Sequence, residues 1–475
     1  MDPVSNPSLS GSKPTVLDRC RGKAVTVMGL GLFGGGVGAA RALARRGARV
    51  TVTDLKSAEA LAPSVEALQG LPVVLHLGGH DPADFKNADI LVVSPAVPKT
   101  SPYLEMARRA GAEITAEMTL FVQACPAPLV GVTGSAGKST TTALLGAMLA
   151  RRGPTRVGGN IGKSLLEDLE AIRPDETVVL EMSSFQLEDL GPHGISPHVA
   201  VVTNVSPNHL DRHGSMAAYV DAKKNILRFQ GPDDVSVLNA DDAEVRSWGE
   251  ETAGRVLRYS LREPVEAGGF LDGDATVLRV AEAEERMALP GALRLRGRHN
   301  LANALAAAVA ARALGTPPEE ILSAAAAFEP LPHRLQPVGR VGGVQFIDDS
   351  KATTPRSAAV AMEALEEPVV LIAGGYDKHL DPAPLVEAVR RRARGVVLIG
   401  ATADALADAI GPKGPVVERA DDLPSAVRTA ARLARPGDTV LLAPGYASWD
   451  MFENYEQRGD VFRAAVADLG EKGSP

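Results

Sequence analysis

The chain has 475 residues, 45% of them hydrophobic and 23% charged, which suits about three globular domains and excludes a disulfide-held miniprotein or a disordered chain. Fifty Lys and Arg against 58 Asp and Glu leave a net charge of −8, a poor balance for general nucleic-acid binding. Two cysteines, Cys20 and Cys125, lie far apart outside any CxxC, which excludes a disulfide framework and predicts a reducing, cytoplasmic setting.

In chain order, residues 1–19 begin with a Pro/Ser-rich stretch without an apolar core, which reads as a disordered lead and no signal peptide. A strand is predicted over 23–28 (KAVTVM), then a Gly-rich turn, a helix reaching Arg46 and a strand over 49–53. Short apolar runs follow at 73–75 and 90–93. Val-rich runs alternating with helical stretches predict a parallel sheet flanked by helices. Pro126 and Pro128 mark a boundary before a strand over 129–133. Further strands are predicted at 177–180 and 199–203, β-hairpins in the charge-rich 249–290 stretch, and an Ala-rich helix over 301–314. Pro330-Leu331-Pro332 reads as a linker, followed by strands at 344–347, 369–373, 396–399 and 439–443. The expected organisation is α/β throughout: lead 1–19, domains 20–125, 126–331 and 332–467, and a tail 468–475. No apolar run approaches about 18 residues, so no membrane span is expected.

The sharpest motif is Gly131-Val132-Thr133-Gly134-Ser135-Ala136-Gly137-Lys138-Ser139-Thr140, between a Val-rich strand and a helical run. Such a loop lets backbone N–H groups wrap phosphates, with the helix N-terminus adding positive potential. Lys138 then reaches the β/γ-phosphates, and Ser139 or Thr140 holds Mg²⁺. The strict pattern wants glycine where Val132 stands. Gly29, Gly31 and Gly34 follow the first strand, with Asp54 twenty residues beyond Gly34, so a diphosphate and a ribose fit here; tight packing of a first βα turn fits too.

Glu181 ends a buried strand ahead of Ser183, Ser184 and Gln186, and stands either as a magnesium ligand or as a strand-capping carboxylate. His209 and Asp211 follow another strand and are open to a metal or a structural role. Lys223 and Lys224 lie on a helix begun by Tyr219, where lysines are ordinarily solvated. Asn300 and Asn303 open the Ala-rich helix, reading an adenine edge or capping the helix. Arg334 follows the linker, suited to phosphate or to a carboxylate. Asp348, Asp349, Lys351 and Thr353, then Lys378, then Ser448 occupy three strand ends of the last domain, where polar residues favour a ligand crevice.

Taken together, GVTGSAGKSTT, EMSSFQLE, TNVSPNHLDRHG, GRHNLANALAA, LPHRLQ and DDSKATT, in this order, resemble the Mur ligases, over about residues 20–467. The resemblance implies a Rossmann-like N-terminal domain, a central P-loop ATPase-like domain with a mostly parallel sheet, and a Rossmann-like C-terminal domain. GGNIGKSL around Asn160, DSKAT around Lys351 and the Ala447–Gly459 stretch are similar to the members that add D-glutamate to UDP-N-acetylmuramoyl-L-alanine.

That likeness implies ATP held by residues 131–140 with Asn300, Arg334 and Asp349, and Mg²⁺, two ions, on Ser139, Glu181 and His209. It implies a carbamylated Lys223 among the catalytic group of Lys138, Glu181, His209 and Lys223. Leu32, Phe33, Asp54, Leu55, Lys56, Asn160, Ser183 and Gln186 fall to the UDP-sugar. Lys351, Thr353, Lys378, Ser448 and Tyr455 fall to D-glutamate. A monomer is expected. The chain departs from the family pattern at Ala136 (Asn), Asn208 (Asp), Thr354 (Asn) and Tyr455 (Phe), and in the glycines after Phe33. Other readings are a folylpolyglutamate-type ligase, a nicotinamide-dependent dehydrogenase and a non-catalytic nucleotide-binding module.

Overall fold

The computed structural model describes residues 15–32, 34–162, 164–281 and 283–472. The first sheet holds β1 (Ala24–Met28), β2 (Arg49–Asp54), β3 (Val73–Leu77), β4 (Ile90–Val93) and β5 (Glu113–Thr115) in the order β3-β2-β1-β4-β5, all parallel. Central β1 is buried on both faces, as in a parallel sheet flanked by helices, with its one polar side chain, Thr26, donating to Asp84 O. Strand order reverses about β1, which opens a crevice at its C-terminal end. The expected disordered lead ends earlier than residue 19: Asp18–Cys20 form a 3₁₀ turn, and Val16, Leu17 and Cys20 are buried in the core. Its earlier part, 1–14, lies outside the described residues.

The second sheet holds β6 (Leu129–Thr133), β7 (Thr155–Gly159), β8 (Thr177–Glu181), β9 (Val199–Val202), β10 (Val235–Asn239), β11 (Arg255–Ser260), β12 (Gly268–Asp272), β13 (Ala275–Arg279) and β14 (Glu285–Met287). Its order is β14-β13-β12-β11-β10-β9-β6-β8-β7. The hairpins expected in 249–290 exist as β12–β13 and β13–β14, but β11 pairs in parallel with both β10 and β12. Because β6 lies between β8 and β9, the loop leaving β6 is flanked by the ends of both neighbours.

The third sheet holds β15 (Gln336–Val341), β16 (Val344–Asp348), β17 (Val369–Ala373), β18 (Ala393–Leu398), β19 (Val416–Arg419) and β20 (Thr439–Leu442), ordered β15-β16-β20-β17-β18-β19. Only β15–β16 is antiparallel, turning through Gly342 and Gly343, both at positive φ as a tight hairpin requires. The helix Tyr455–Lys472 runs beyond the boundary expected at 467, with Phe462, Ala465 and Val466 packed into the core.

The chain forms two compact units. One takes the chain up to Gly291 with Asn303–Ala325; the other takes Ala292–Ala302 and the chain from Ala326. Among the described residues no helix is long and apolar enough to cross a membrane.

Candidate active site

β6 ends at Thr133, and the helix Lys138–Leu149 begins after a four-residue loop. Two positions in that loop require glycine. A Cβ on Gly134 (φ +149°) would lie 1.9 Å from Thr203 Oγ1, and one on Gly137 (φ +85°) 2.3 Å from Asn303 Oδ1. Polar groups following β9 hold the loop from behind. Ala136 N–H donates to Asn204 Oδ1 at 2.9 Å, while its carbonyl accepts from Thr203 Oγ1 (2.6 Å) and Asn204 Nδ2 (3.0 Å). The Ser135 hydroxyl lies 2.9 Å from Tyr219 OH. The loop is thus set before any ligand arrives, with the helix N-terminus facing it, an arrangement that binds phosphate oxygens. Lys138 Nζ donates to the carbonyls of Gly134 (3.1 Å) and Ser135 (3.3 Å), which keeps its charge over the loop.

Glu181, at the end of β8, is 2% exposed. Its Oε1 accepts from Asn160 Nδ2 at 2.9 Å, whereas Oε2 is buried without a hydrogen-bond partner among the described residues. A buried carboxylate oxygen lacking a donor is costly, and a cation relieves that cost. His209, held in the left-handed region (φ 54°), starts the helix Leu210–His213, and its ring centre lies 5.1 Å from that of Phe185 in an edge-to-face arrangement. Carboxylate, imidazole and the Ser139 hydroxyl are donors Mg²⁺ accepts alongside phosphate oxygens and water.

Lys223 departs from a solvated helix lysine. It is 1% exposed, and its Nζ donates to Gly134 O at 3.0 Å and Thr133 Oγ1 at 3.3 Å, with the Tyr219 ring 4.7 Å away. Burial first, and the Lys138 charge second, push its ammonium well below the usual lysine range, with Glu181 opposing. A neutral amine is the reactive form of lysine. Lys224 is not simply solvated either: its side chain is largely buried, pairing with Glu251 with its Nζ 5.7 Å from the Trp248 ring centre.

At the crevice of the first sheet, the Asp54 carboxylate shapes its own turn. Oδ2 accepts from the amides of Leu30 (2.8 Å) and Gly31 (3.1 Å), and Oδ1 from Lys56 N–H (2.9 Å). Those bonds use three of its roughly four lone-pair sites, so the carboxylate both orders the turn and keeps one acceptor site for a ligand hydroxyl. Leu32, Leu55 and Lys56 are exposed beside it; Phe33 lies outside the described residues. Three other residues expected at the sugar nucleotide sit at the second sheet with partners of their own. Asn160 bonds to Glu181, while Ser183 and Gln186 form the reciprocal capping box of the helix Ser184–Leu190.

In the second unit, β16, β20 and β17 are adjacent, which gathers the segments that follow them. Gly374 N–H donates to Pro444 O at 2.9 Å and Gly445 N–H to Ala352 O at 2.8 Å. Lys351 Nζ donates to Tyr455 OH at 2.6 Å; Ser448 is buried, and Thr353 N–H donates to Lys351 O at 2.9 Å. Lys378 Nζ lies 5.0 Å from the centre of the Trp449 ring. Burial pushes the Asp349 carboxyl up to about 7, against the opposing Leu335 N–H bond and the Arg334 charge. Asn300 Nδ2 donates to Arg296 O at 2.8 Å, at the start of the helix Arg298–Ala313. Burial, with Arg334 adding, pushes neighbouring His299 down to about 4.

Residues 23–116 match the Mur ligase MurD-like N-terminal domain, 132–311 the Mur ligase middle domain, and 333–445 the Mur ligase glutamate ligase domain. The chain belongs to the Mur ligase family. This Mur ligase is 44% identical to the UDP-N-acetylmuramoylalanine--D-glutamate ligase of Roseiflexus sp. (strain RS-1), covering 94% of this chain and 98% of that protein. It is 43% identical to the ligase of that name from Symbiobacterium thermophilum, covering 90% and 95% respectively. Among solved structures it shares its fold with UDP-N-acetylmuramate-alanine ligase from Thermotoga maritima: TM-score 0.62, 20% identity, covering 94% of this chain and 99% of that one. It also shares it with MurF ligase from the same organism in complex with ADP: TM-score 0.60, 18% identity, covering 97% and 98%.

Several residues shape the site in this Mur ligase in ways the motif reading does not give. Tyr219 sits four positions before Lys223 on one helix face, a spacing that puts both against the loop. Asn204 and Asn303 brace the loop's far side. Arg458 is 1% exposed and donates to Ser350 Oγ (3.0 Å), Ser350 O (2.8 Å) and Tyr446 O (3.1 Å). An arginine three residues after Tyr455 in the same motif is its sequence trace.

Proposed function

We propose that this Mur ligase joins D-glutamate to UDP-N-acetylmuramoyl-L-alanine with cleavage of ATP to ADP and phosphate, a step of peptidoglycan precursor synthesis. The observation that carries the reading is 42–44% identity, over at least nine-tenths of the chain, to ligases named for that reaction. The residues supply matching chemistry. A carboxylate does not acylate an amine in water because its oxygen is a poor leaving group. The L-alanyl carboxylate therefore attacks the γ-phosphorus of ATP; an acyl phosphate forms and ADP leaves. The D-glutamate amine then attacks the acyl carbon, and the C–O bond to phosphate breaks, releasing inorganic phosphate and a proton.

Residues 131–140 hold the phosphates, with Lys138 and the helix N-terminus facing the charge that builds on the transferring group. Ser139, Glu181 and His209 would hold Mg²⁺, in our reading two ions, which supplies further neutralisation of the phosphoryl oxygens. The buried, unpartnered Glu181 oxygen supports that placement. Lys223 is read as a carbamate: the neutral amine adds CO₂ and releases a proton, giving a carboxylate on a long arm. Its burial favours the neutral amine this needs.

Asn300, Arg334 and Asp349 are assigned to the nucleotide. Leu32, Phe33, Asp54, Leu55, Lys56, Asn160, Ser183 and Gln186 are assigned to the UDP-sugar region, where exposed Leu32 and Leu55 offer apolar surface for a base. Lys351 and Lys378 with Thr353, Ser448 and Tyr455 are assigned to D-glutamate, two cations and three hydroxyls suiting a dicarboxylate. A domain division near residues 125 and 331, a monomeric state and a cytoplasmic setting belong to the same reading. The free thiols of Cys20 and Cys125 agree with that setting.

The test is ADP release with UDP-N-acetylmuramoyl-L-alanine, ATP and a panel of amino acids. D-glutamate should be used far better than L-alanine, lysine or diaminopimelate. Efficient turnover of a diamino acid, or ADP release indifferent to the amino acid, would overturn the assignment.

A further inference from the structure

The second unit exposes two large aromatic rings side by side. Trp449 is 62% and Tyr376 45% exposed, with ring centres 5.6 Å apart. Leaving both in water forgoes the burial that usually places such rings inside, and an exposed aromatic pair rimmed by charge marks a functional surface.

The backbone beneath them is fixed at several points. Tyr376 and Ala447 form an antiparallel bridge, Tyr376 N–H donating to Ala447 O at 2.9 Å and Ala447 N–H to Tyr376 O at 3.2 Å. Gly375 (φ +143°) permits that approach, since a Cβ there would lie 2.3 Å from Ala447 O. On the other side of Trp449, Asp450 Oδ2 accepts from Ala401 N–H at 2.8 Å, and Ser448 O accepts from Phe452 N–H at 2.8 Å. The indole is therefore an exposed side chain on a rigid mount, and the group it meets is the Lys378 ammonium, 5.0 Å from its ring centre.

We propose that Trp449 is a positioning residue of the acceptor site, holding the Lys378 ammonium over its indole face so that the cation is aimed in advance at a carboxylate of the incoming amino acid. The inference rests on the D-glutamate reading above. A lysine side chain has many rotamers over which to spread its charge, and the ring's negative face narrows that spread. Ordering the cation before binding removes part of the entropic cost of capturing the acceptor, which is read in KM more than in kcat. Because Trp449 follows Ser448 directly, bridge, hydroxyl and cation share one short segment of chain. Tyr376 limits the indole's own freedom by packing against it.

The chain has two tryptophans, and Trp248 is fully buried in the other unit, so acceptor-linked changes in exposed indole emission report on Trp449. The test compares the full-length enzyme with Trp449→Phe, Trp449→Leu and Trp449→Ala. Leucine keeps apolar bulk without a π face, and phenylalanine keeps a weaker one. The expected result is a D-glutamate KM raised about two- to fivefold in the Leu and Ala variants, less in the Phe variant. The kcat and the KM values for ATP and the UDP-sugar should stay within about twofold. In a Lys378→Ala background, the Trp449→Ala effect on KM should vanish, which a purely structural role would not produce. Adding D-glutamate should shift the indole emission of wild type and not of Trp449→Phe. An unchanged D-glutamate KM in the Leu and Ala variants, or the same loss with and without Lys378, would overturn the proposal. Wild-type turnover of D-glutamate in the same assay checks the underlying reading separately.

Discussion

The Lys223 ammonium nitrogen lies 3.0 Å from the Gly134 carbonyl oxygen, so a fully buried lysine is bonded to the phosphate loop itself. The Lys138 charge disfavours its ammonium form and the Glu181 charge favours it. A lysine so placed is too costly to bury for packing alone. Lys223→Ala should lower ligation by about two orders of magnitude or more, on the scale of losing a group that orders the reacting centre. A short-chain carboxylate added to the buffer should restore part of the activity, and Lys223→Arg, which cannot carry a carbamate, should not help. Full wild-type activity in CO₂-free buffer, together with an active Ala variant, would show that Lys223 has no such role.

Lys138 bonds to two carbonyls of the loop and has the helix N-terminus beneath it. Lys138→Ala should cost at least about a hundredfold in kcat while the thermal midpoint moves by only a few degrees, because the loop's own bracing by Asn204 and Thr203 is untouched. Turnover within a few-fold of wild type would remove Lys138 from the phosphate site.

Strands such as Ile90–Val93, Leu129–Thr133 and Val369–Ala373 are legible in the sequence to the residue, because a parallel strand covered on both faces reads as an unbroken apolar run between turns. Pairing is not legible in that way: nothing in 255–260 shows that this strand joins its neighbours in parallel. The site divides similarly. Gly134, Gly137 and Lys138 announce a phosphate loop because that chemistry imposes a local pattern. Asn204, Tyr219 and Asn303 support the loop from distant segments, and a brace of that kind has no spacing to betray it. Asp54 shows the limit of motif reading. Its distance from the glycines places it at the turn, but does not show that its carboxylate also accepts from the amides of Leu30 and Gly31.

Arg458 spans three acceptors inside the second unit, and burial pushes its guanidinium down to about 10. Arg458→Leu leaves Ser350 and Tyr446 carbonyls without that donor, at roughly 1–3 kcal/mol for each bare group. The variant should lose at least about 2 kcal/mol of stability in urea unfolding, and its D-glutamate KM should rise, because Lys351 follows Ser350 directly. Arg458→Lys should recover little, since a single ammonium nitrogen cannot reach acceptors spread over three guanidinium nitrogens. A urea midpoint unchanged in Arg458→Leu would mean that those carbonyls find other partners.

Asp349 makes the stability of the second unit depend on pH. Burial holds its carboxyl at about 7, against 3.8 for an ordinary aspartate. Between those two values the folded chain keeps a proton that the unfolded chain has released. Asp349 therefore lowers stability progressively as pH rises from about 4 to about 7, and its effect is level above that. The amide of an Asp349→Asn variant cannot titrate, and its oxygen can still accept from Leu335 N–H, the bond that Asp349 Oδ1 makes at 3.1 Å. The variant should match wild type near pH 4 and become the more stable of the two toward pH 8, by an amount on the order of a few kcal/mol at about 1.4 kcal/mol per pH unit. Urea unfolding of both proteins at pH 5 and pH 8, followed by a probe confined to the second unit, measures it. A stability difference that is the same at both pH values would mean that the folded chain releases the Asp349 proton as readily as the unfolded one.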